Sequence, residues 1–231
     1  PLDKALLLLE DCRRFGTLVF AHLARSAFVS ITILKSAVDK KIISQVAMDS
    51  FLNSIETVAH EFISDAKAVA DKTKPWSVFV DRYGHLRPGT YDITSETYSE
   101  NVEKYLRPVI DQTNITNDDI NNSNDEWLNE KESLSSAMSD IGVTVNSNTL
   151  EAFLKGSIEG REYAKFIFSR NLSAALDLIT EFGKTNGLNK KQLSNISLDS
   201  LFSVRAGSIN SNDLHVWLKN ESNRYSESHK K

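Results

Sequence analysis

The chain has 231 residues, 40% of them hydrophobic and 25% charged, with a formal net charge of −4. That length buries a substantial core in one domain or two. The apolar share is too high for a disordered chain, and the mild negative charge supplies no general attraction for nucleic acid or an anionic membrane. Cys12 is the single cysteine, which excludes an intrachain disulfide and a cysteine-based zinc site and fits a reducing, cytoplasmic setting.

From Asp3 to Lys40, apolar residues recur at helical spacing through Leu7, Phe15, Leu18, Leu23, Phe28, Ile31 and Leu34, with Gly16 as the weak point, so one or two helices are expected. The run Leu6 to Leu9 is broken at once by Glu10, Asp11, Arg13 and Arg14, well short of the ~20 residues of a membrane span, so no membrane partner is expected. The sequence starts at Pro1, without methionine, and enters a helical pattern immediately, which reads as a fragment of something longer.

Ser44 is a candidate N-cap for the next helix, in which Met48, Phe51, Leu52, Ile55, Val58, Ala59, Phe62, Ala66 and Val69 trace one stripe. The short link at 41–44 predicts an antiparallel pair with the opening segment. Pro75 should open a short helix carrying Trp76, Phe79 and Val80 that gives way at Gly84. A further short helix is expected at 102–110.

Residues 113–125 are crowded with Asn, Asp, Ser and Thr and read as a surface loop. Helices are predicted at 126–141 and from Asn148 to Thr185, the second ended by Asn186-Gly187. Short helical candidates follow at 190–202 and 212–221, and the polar tail 223–231 should fray. Trp127 and Trp217 are expected core anchors. With no strand alternation, the fold class is all-α: a multi-helix bundle with long antiparallel helices and one irregular loop of Gly, Pro and Arg. The organisation is a single domain over 1–222, or two subdomains, 1–111 and 126–222, joined by a polar loop at 112–125.

That irregular run, Asp81 to Ser95, holds two arginines, a histidine, two tyrosines, two glycines and a proline. Glycine permits positive φ and close approach, and Arg82 and Arg87 offer forked donors suited to a carboxylate or phosphate. The plainer reading is a structural corner, in which buried arginine and tyrosine tie loop carbonyls to helix ends. His85 has no acid–base partner assignable from sequence. Arg14, Leu18, Ala21 and Arg25 share one helix face with His22 beside it, and pairing of the charges with Glu10 and Asp11 is the competing explanation. Arg161, Lys165 and Arg170, near Tyr163 and Phe168, offer a second cationic patch, for which an ordinary solvated face is the plainer explanation. His60-Glu61 has no second histidine four residues on, so no metal is expected.

Tyr83-Gly84-His85-Leu86-Arg87-Pro88-Gly89-Thr90-Tyr91-Asp92-Ile93 closely resembles a segment of the phosphoenolpyruvate synthase and pyruvate phosphate dikinase-like (PEP-utilising) proteins, to which the rifampin phosphotransferases are related. The stretches Leu8 to Thr17, Phe20 to Arg25 and Lys165 to Asn171 are similar to the same central region. The resemblance implies a parent with an ATP-grasp domain, a helical middle and a swivelling phosphohistidine domain, of which this chain matches the middle alone. It has no glycine-rich nucleotide loop with a following lysine, and His85 does not match the motif around the family's phosphorylated histidine. ATP and Mg are therefore expected in the parent's other domains, with no cofactor and no catalytic residue here.

The implied role is acceptor binding or docking of those two domains, with substrate contacts from Arg82, Tyr83, His85, Arg87, Tyr91 and Asp92, and from Arg14, His22 and Arg25. The alternatives are a non-catalytic helical spacer and a protein-interaction module. An acceptor site requires a concavity at the corner, whereas a spacer requires the arginines to be buried against backbone.

Overall fold

A computed structural model describes residues 1–113, 125–210 and 212–228. The chain is 74% helical, with no strand among the described residues, so the all-α expectation holds. The helices, in chain order, are α1 (Leu2–Asp11), α2 (Leu18–Asp39), α3 (Gln45–Asn53), α4 (Val58–Ala70), α5 (Trp76–Tyr83), α6 (Val102–Tyr105), α7 (Arg107–Thr113), α8 (Asp125–Asp140), α9 (Ser147–Thr185), α10 (Lys190–Leu193), α11 (Leu198–Arg205) and α12 (Leu214–Ser228). A wide π-helical turn, Cys12–Thr17, joins α1 to α2 without a break.

Contacts divide the chain into two compact units, and neither matches the halves 1–111 and 126–222 anticipated from chain order. One comprises Pro1–Gly16, Lys74–Val109 and Ile167–Lys231; the other comprises Thr17–Thr73 and Ile110–Phe166. Apolar faces distant in sequence find each other, and chain order does not set which ones do. The expected loop 112–125 falls mostly on residues 114–124, outside the described residues.

In the first unit, Leu2, Ala5 and Leu6 of α1 pack with Ile179 and Phe182 of α9, Leu193 of α10, Leu201 of α11 and Leu218 of α12. The ion pair Arg205–Asp3, at 3.2 Å, lies between α11 and α1. The π turn serves this packing. Cys12 Sγ donates to the Phe168 carbonyl at 3.6 Å, and a Cβ on Gly16 would sit 2.6 Å from Phe168 Cβ. The glycine that weakens the helix is thus where the α9 aromatic comes closest.

The tail was expected to fray from 223, but α12 runs to Ser228, and 229–231 lie outside the described residues. Its anchor is Ser222, 2% exposed, whose hydroxyl donates to the Gln192 carbonyl at 2.9 Å. The expected helix at 190–202 is instead two, α10 and α11, because Ser197 recaps the chain by accepting from Ser200 N.

In the second unit, Leu34 and Ala37 of α2, Ala47, Met48 and Phe51 of α3, Trp127 and Leu134 of α8, and Leu150 and Leu154 of α9 form one core. Trp127 is 1% exposed, and its ring lies 4.4 Å from that of Phe51. Ser44 caps α3 as expected, its hydroxyl accepting from Ala47 N while donating to Glu130 at 2.8 Å. The single stripe read through Met48 to Val69 is in fact two helices. Ser54 bonds back to the Phe51 carbonyl and Thr57 caps a new helix by accepting from His60 N. The apolar period runs on across this break, so periodicity alone did not show it.

By length and composition, Leu2–Asp39 is apolar enough to cross a membrane. The same test admits a core helix, but only 22% of the apolar window is buried: Ala24, Ala27, Ser30, Leu34 and Ala37 of α2 are buried, whereas Leu18, Val19, Phe28 and Val29 are exposed.

Candidate functional site

The irregular corner begins where α5 ends. Pro75 starts that helix and Phe79 and Tyr83 anchor it, both fully buried with their rings 5.0 Å apart. The chain then reverses, and the returning segment of the loop bonds to the outgoing one. Tyr98 N donates to the Leu86 carbonyl at 2.7 Å and Ser99 N to the Gly84 carbonyl at 3.0 Å. Gly84 is required here for space, not for positive φ: its φ is −60°, and a Cβ would meet the Val80 carbonyl oxygen at 2.5 Å and Ser99 Cβ at 3.0 Å. Glycines with positive φ are found elsewhere, at Gly142, Gly187 and Gly207.

Two side chains pin the corner to the first unit. Ile93 enters its apolar core. Arg87 enters its polar counterpart: one terminal nitrogen donates to the Ser95 carbonyl at 3.2 Å, and the other donates to Ser173 Oγ at 2.8 Å and to Asp177 Oδ1 at 3.0 Å. The Arg87 side chain is 2% exposed, whereas that of Asp177 is 53% exposed. A planar fork suits this task, since one guanidinium ties a loop carbonyl and two groups one helical turn apart on α9. Arg87 Nε remains buried without an acceptor.

Arg87 and Tyr83 were expected to contact substrate, but both are buried; Arg87 positions the corner and Tyr83 packs under it. Arg82 is half-buried, with its guanidinium 5.3 Å from the Tyr83 ring centre, and its carbonyl accepts from Arg170 at 3.0 Å. Tyr91 and Asp92 are exposed at the tip of the corner. The hydrogen bonds from Thr94 Oγ1 and N, at 2.7 and 2.8 Å, hold the Asp92 carboxyl below its usual pKa. Burial raises the pKa of Glu100, but the Thr97 backbone N–H and Lys190, which donates at 3.0 Å, outweigh it and leave the carboxyl below its usual value.

Of the expected ligand residues, His85 lines an open concavity of about 290 Å³. The wall is completed by Asp81 and Gly84 of the α5 end, Thr97 and Ser99 of the returning loop, and Arg170, Ser173 and Asp177 of α9. Asp81, Arg170, Ser173 and Asp177 were not singled out from sequence as ligands, although 170, 173 and 177 follow helical spacing i, i+3, i+7 on one face. Polar residues at that spacing on one face of α9 were the available signal.

The second expected cluster is not a part of this concavity. Arg14 is exposed in the first unit and ion-paired with Glu10, as is Arg13. The hydrogen bonds from these two arginines hold Glu10 down to about 2. His22 and Arg25 are exposed on α2 and belong to the second unit. The competing explanation of a solvated, ion-paired face therefore describes Arg14. Arg161, in the same second unit, contacts Glu162 at 3.2 Å and lies 5.5 Å from the Phe28 ring centre. Among the described residues, no group of three or more His, Cys, Asp or Glu is arranged to hold a metal ion.

Comparison with protein-family models finds no matching family, and searches of curated proteins and of solved structures find no match.

Proposed function

We propose that the chain is the helical acceptor-binding region of a phosphotransferase of the phosphoenolpyruvate synthase type, working with an ATP-grasp domain and a phosphohistidine domain of the same parent protein. The observation that carries this reading is a rigid polar corner beside an open concavity. Arg87 and Ile93 lock the segment that resembles the family, and His85 and Arg170 stand in the concavity next to it. A phosphoacceptor needs a fixed pose and a cation near the transferring phosphoryl group, with little covalent help from its surroundings. Arg170 supplies that cation, and Arg87 keeps the geometry.

The helical spacer is the second reading, and Arg87 itself favours it, because its guanidinium is spent on Ser95, Ser173 and Asp177. The concavity favours acceptor binding, since a spacer has no use for it. In the full-length parent, His85→Ala and Arg170→Ala should each abolish phosphate transfer to the acceptor while phosphohistidine formation from ATP continues. Transfer at the wild-type rate in both variants would remove the concavity from the acceptor site and leave the spacer reading standing.

A further inference from the structure

In the second unit, away from the corner and without reliance on the phosphotransferase reading, we propose that the groove between the C-terminal ends of α2 and α8 binds a single-chain amphiphile with a carboxylate head, of the medium-chain fatty-acid kind. The groove holds about 250 Å³. Its walls come from Ile33 and Ala37 of α2, Ile42 beyond it, and Leu134, Met138 and Ile141 at the end of α8. Leu134 and Ala37 belong to the buried core, whereas Ile33, Ile42 and Met138 pack on that core only in part and Ile141 stays 74% exposed. Apolar surface left wet around a depression is what an alkyl chain covers, and Met138 gives the wall an adaptable side chain.

The polar groups beside it are largely committed. At the end of α2, Lys40 N donates to the Ser36 carbonyl at 3.0 Å and Ile42 N to the Ala37 carbonyl at 2.8 Å; at the end of α8, Val143 N donates to the Met138 carbonyl at 2.9 Å. The positive φ of Lys41, 59°, and of Gly142, 89°, permits these closures. Thr32 gives its hydroxyl proton to the Phe28 carbonyl at 2.8 Å. Among the described residues the wall carries one charge, the ammonium of Lys40, which is exposed and has no hydrogen-bond or ion-pair partner there. The carboxylates nearest in sequence, Asp39 and Asp140, lie outside the wall. The matching ligand is apolar over most of its length and negative at one end. The volume falls below the roughly 300 to 1,000 Å³ usual for ligand sites, which suits one chain and not a two-chain lipid.

The test is a titration of the ¹⁵N-labelled chain with octanoate, decanoate, acetate and decyltrimethylammonium, each below its micelle concentration, read by amide shifts. Both longer alkanoates should move the amides of Ile33, Lys40, Met138 and Ile141, decanoate at about a tenth of the octanoate concentration because it buries two more methylenes. Acetate should move none of them. Decyltrimethylammonium should bind more weakly than decanoate. Lys40→Gln should weaken decanoate about threefold, the scale of an exposed ion pair, without weakening the ammonium probe. Ser36→Phe, which sets a ring over the groove from an exposed position of α2, should abolish the decanoate shifts while amides far from the groove keep their places. Equal affinity for octanoate and decanoate, equal affinity for the two decyl probes, decanoate shifts that survive Ser36→Phe, or no shift at all would overturn the inference. So would pelleting of the chain with phosphatidylglycerol vesicles while monomeric decanoate moves nothing, which would make the groove a membrane contact.

Discussion

Around Trp127 the second unit is held by apolar packing: its ring meets that of Phe51 in a core shared with Leu34, Leu134 and Leu154, and the attraction among them is without direction. Around Arg87 the first unit's corner is held by donors that must meet specific oxygens, on Ser95, Ser173 and Asp177. The first arrangement tolerates small shifts and determines that the helices collapse together. The second tolerates none and determines where a loop without regular structure sits. A site needs the second kind, and a concavity with polar walls from both a loop and a helix lies beside it.

The largest effect should come from Trp127→Ala, which empties a fully buried aromatic site and should cost about 3–5 kcal/mol. The urea midpoint should fall with little change in slope. A loss below about 1 kcal/mol would mean that this core is not the main support of its unit.

Arg87→Ala should cost about 3 kcal/mol, less than the tryptophan because Asp177 stays half in solvent when its partner goes. Its signature is local: amide exchange at 84–101 should accelerate well beyond that of α3 and α8. Uniform acceleration across the chain would erase the distinction between the two regions.

The smallest effect is that of acid. Asp92 and Glu100 ionise at lower pH when folded than in the unfolded chain, where carboxyls titrate near about 4. Their contribution is therefore complete above that value and is lost as pH falls through the folded pKa values. The amides of Thr94 and Thr97 should shift below pH ~4, before any change in Trp127 fluorescence, and both effects should be modest because the carboxylates are largely exposed. Simultaneous loss of the two signals would show that the corner has no separate acid sensitivity.

Much of the helical plan was readable along the chain. Ser44 and Pro75 mark helix starts, Gly187 marks an end, and the long apolar period of α9 stands out. These signals act over three or four residues, the range over which helix geometry couples neighbours. The breaks at Ser54 and Ser197 escaped because short polar side chains recap the backbone without disturbing the apolar period. The corner was legible as irregular and rich in donors, but not the fate of each donor. Arg82 and Arg87 are five residues apart and chemically alike, yet Arg87 is buried, while Arg82 lies half in solvent and hands its carbonyl to Arg170.

What the sequence determined by itself was the helical class, the main punctuation and the presence of one segment unlike the rest. Tertiary structure alone decided which charges were withdrawn from water and which lined a concavity, and which distant segments shared a core. The physical reason is range. Helix periodicity and caps are written into residues a turn apart, whereas the burial of Arg87 depends on Ser173 and Asp177, 86 and 90 positions away, whose position the packing of the first unit sets.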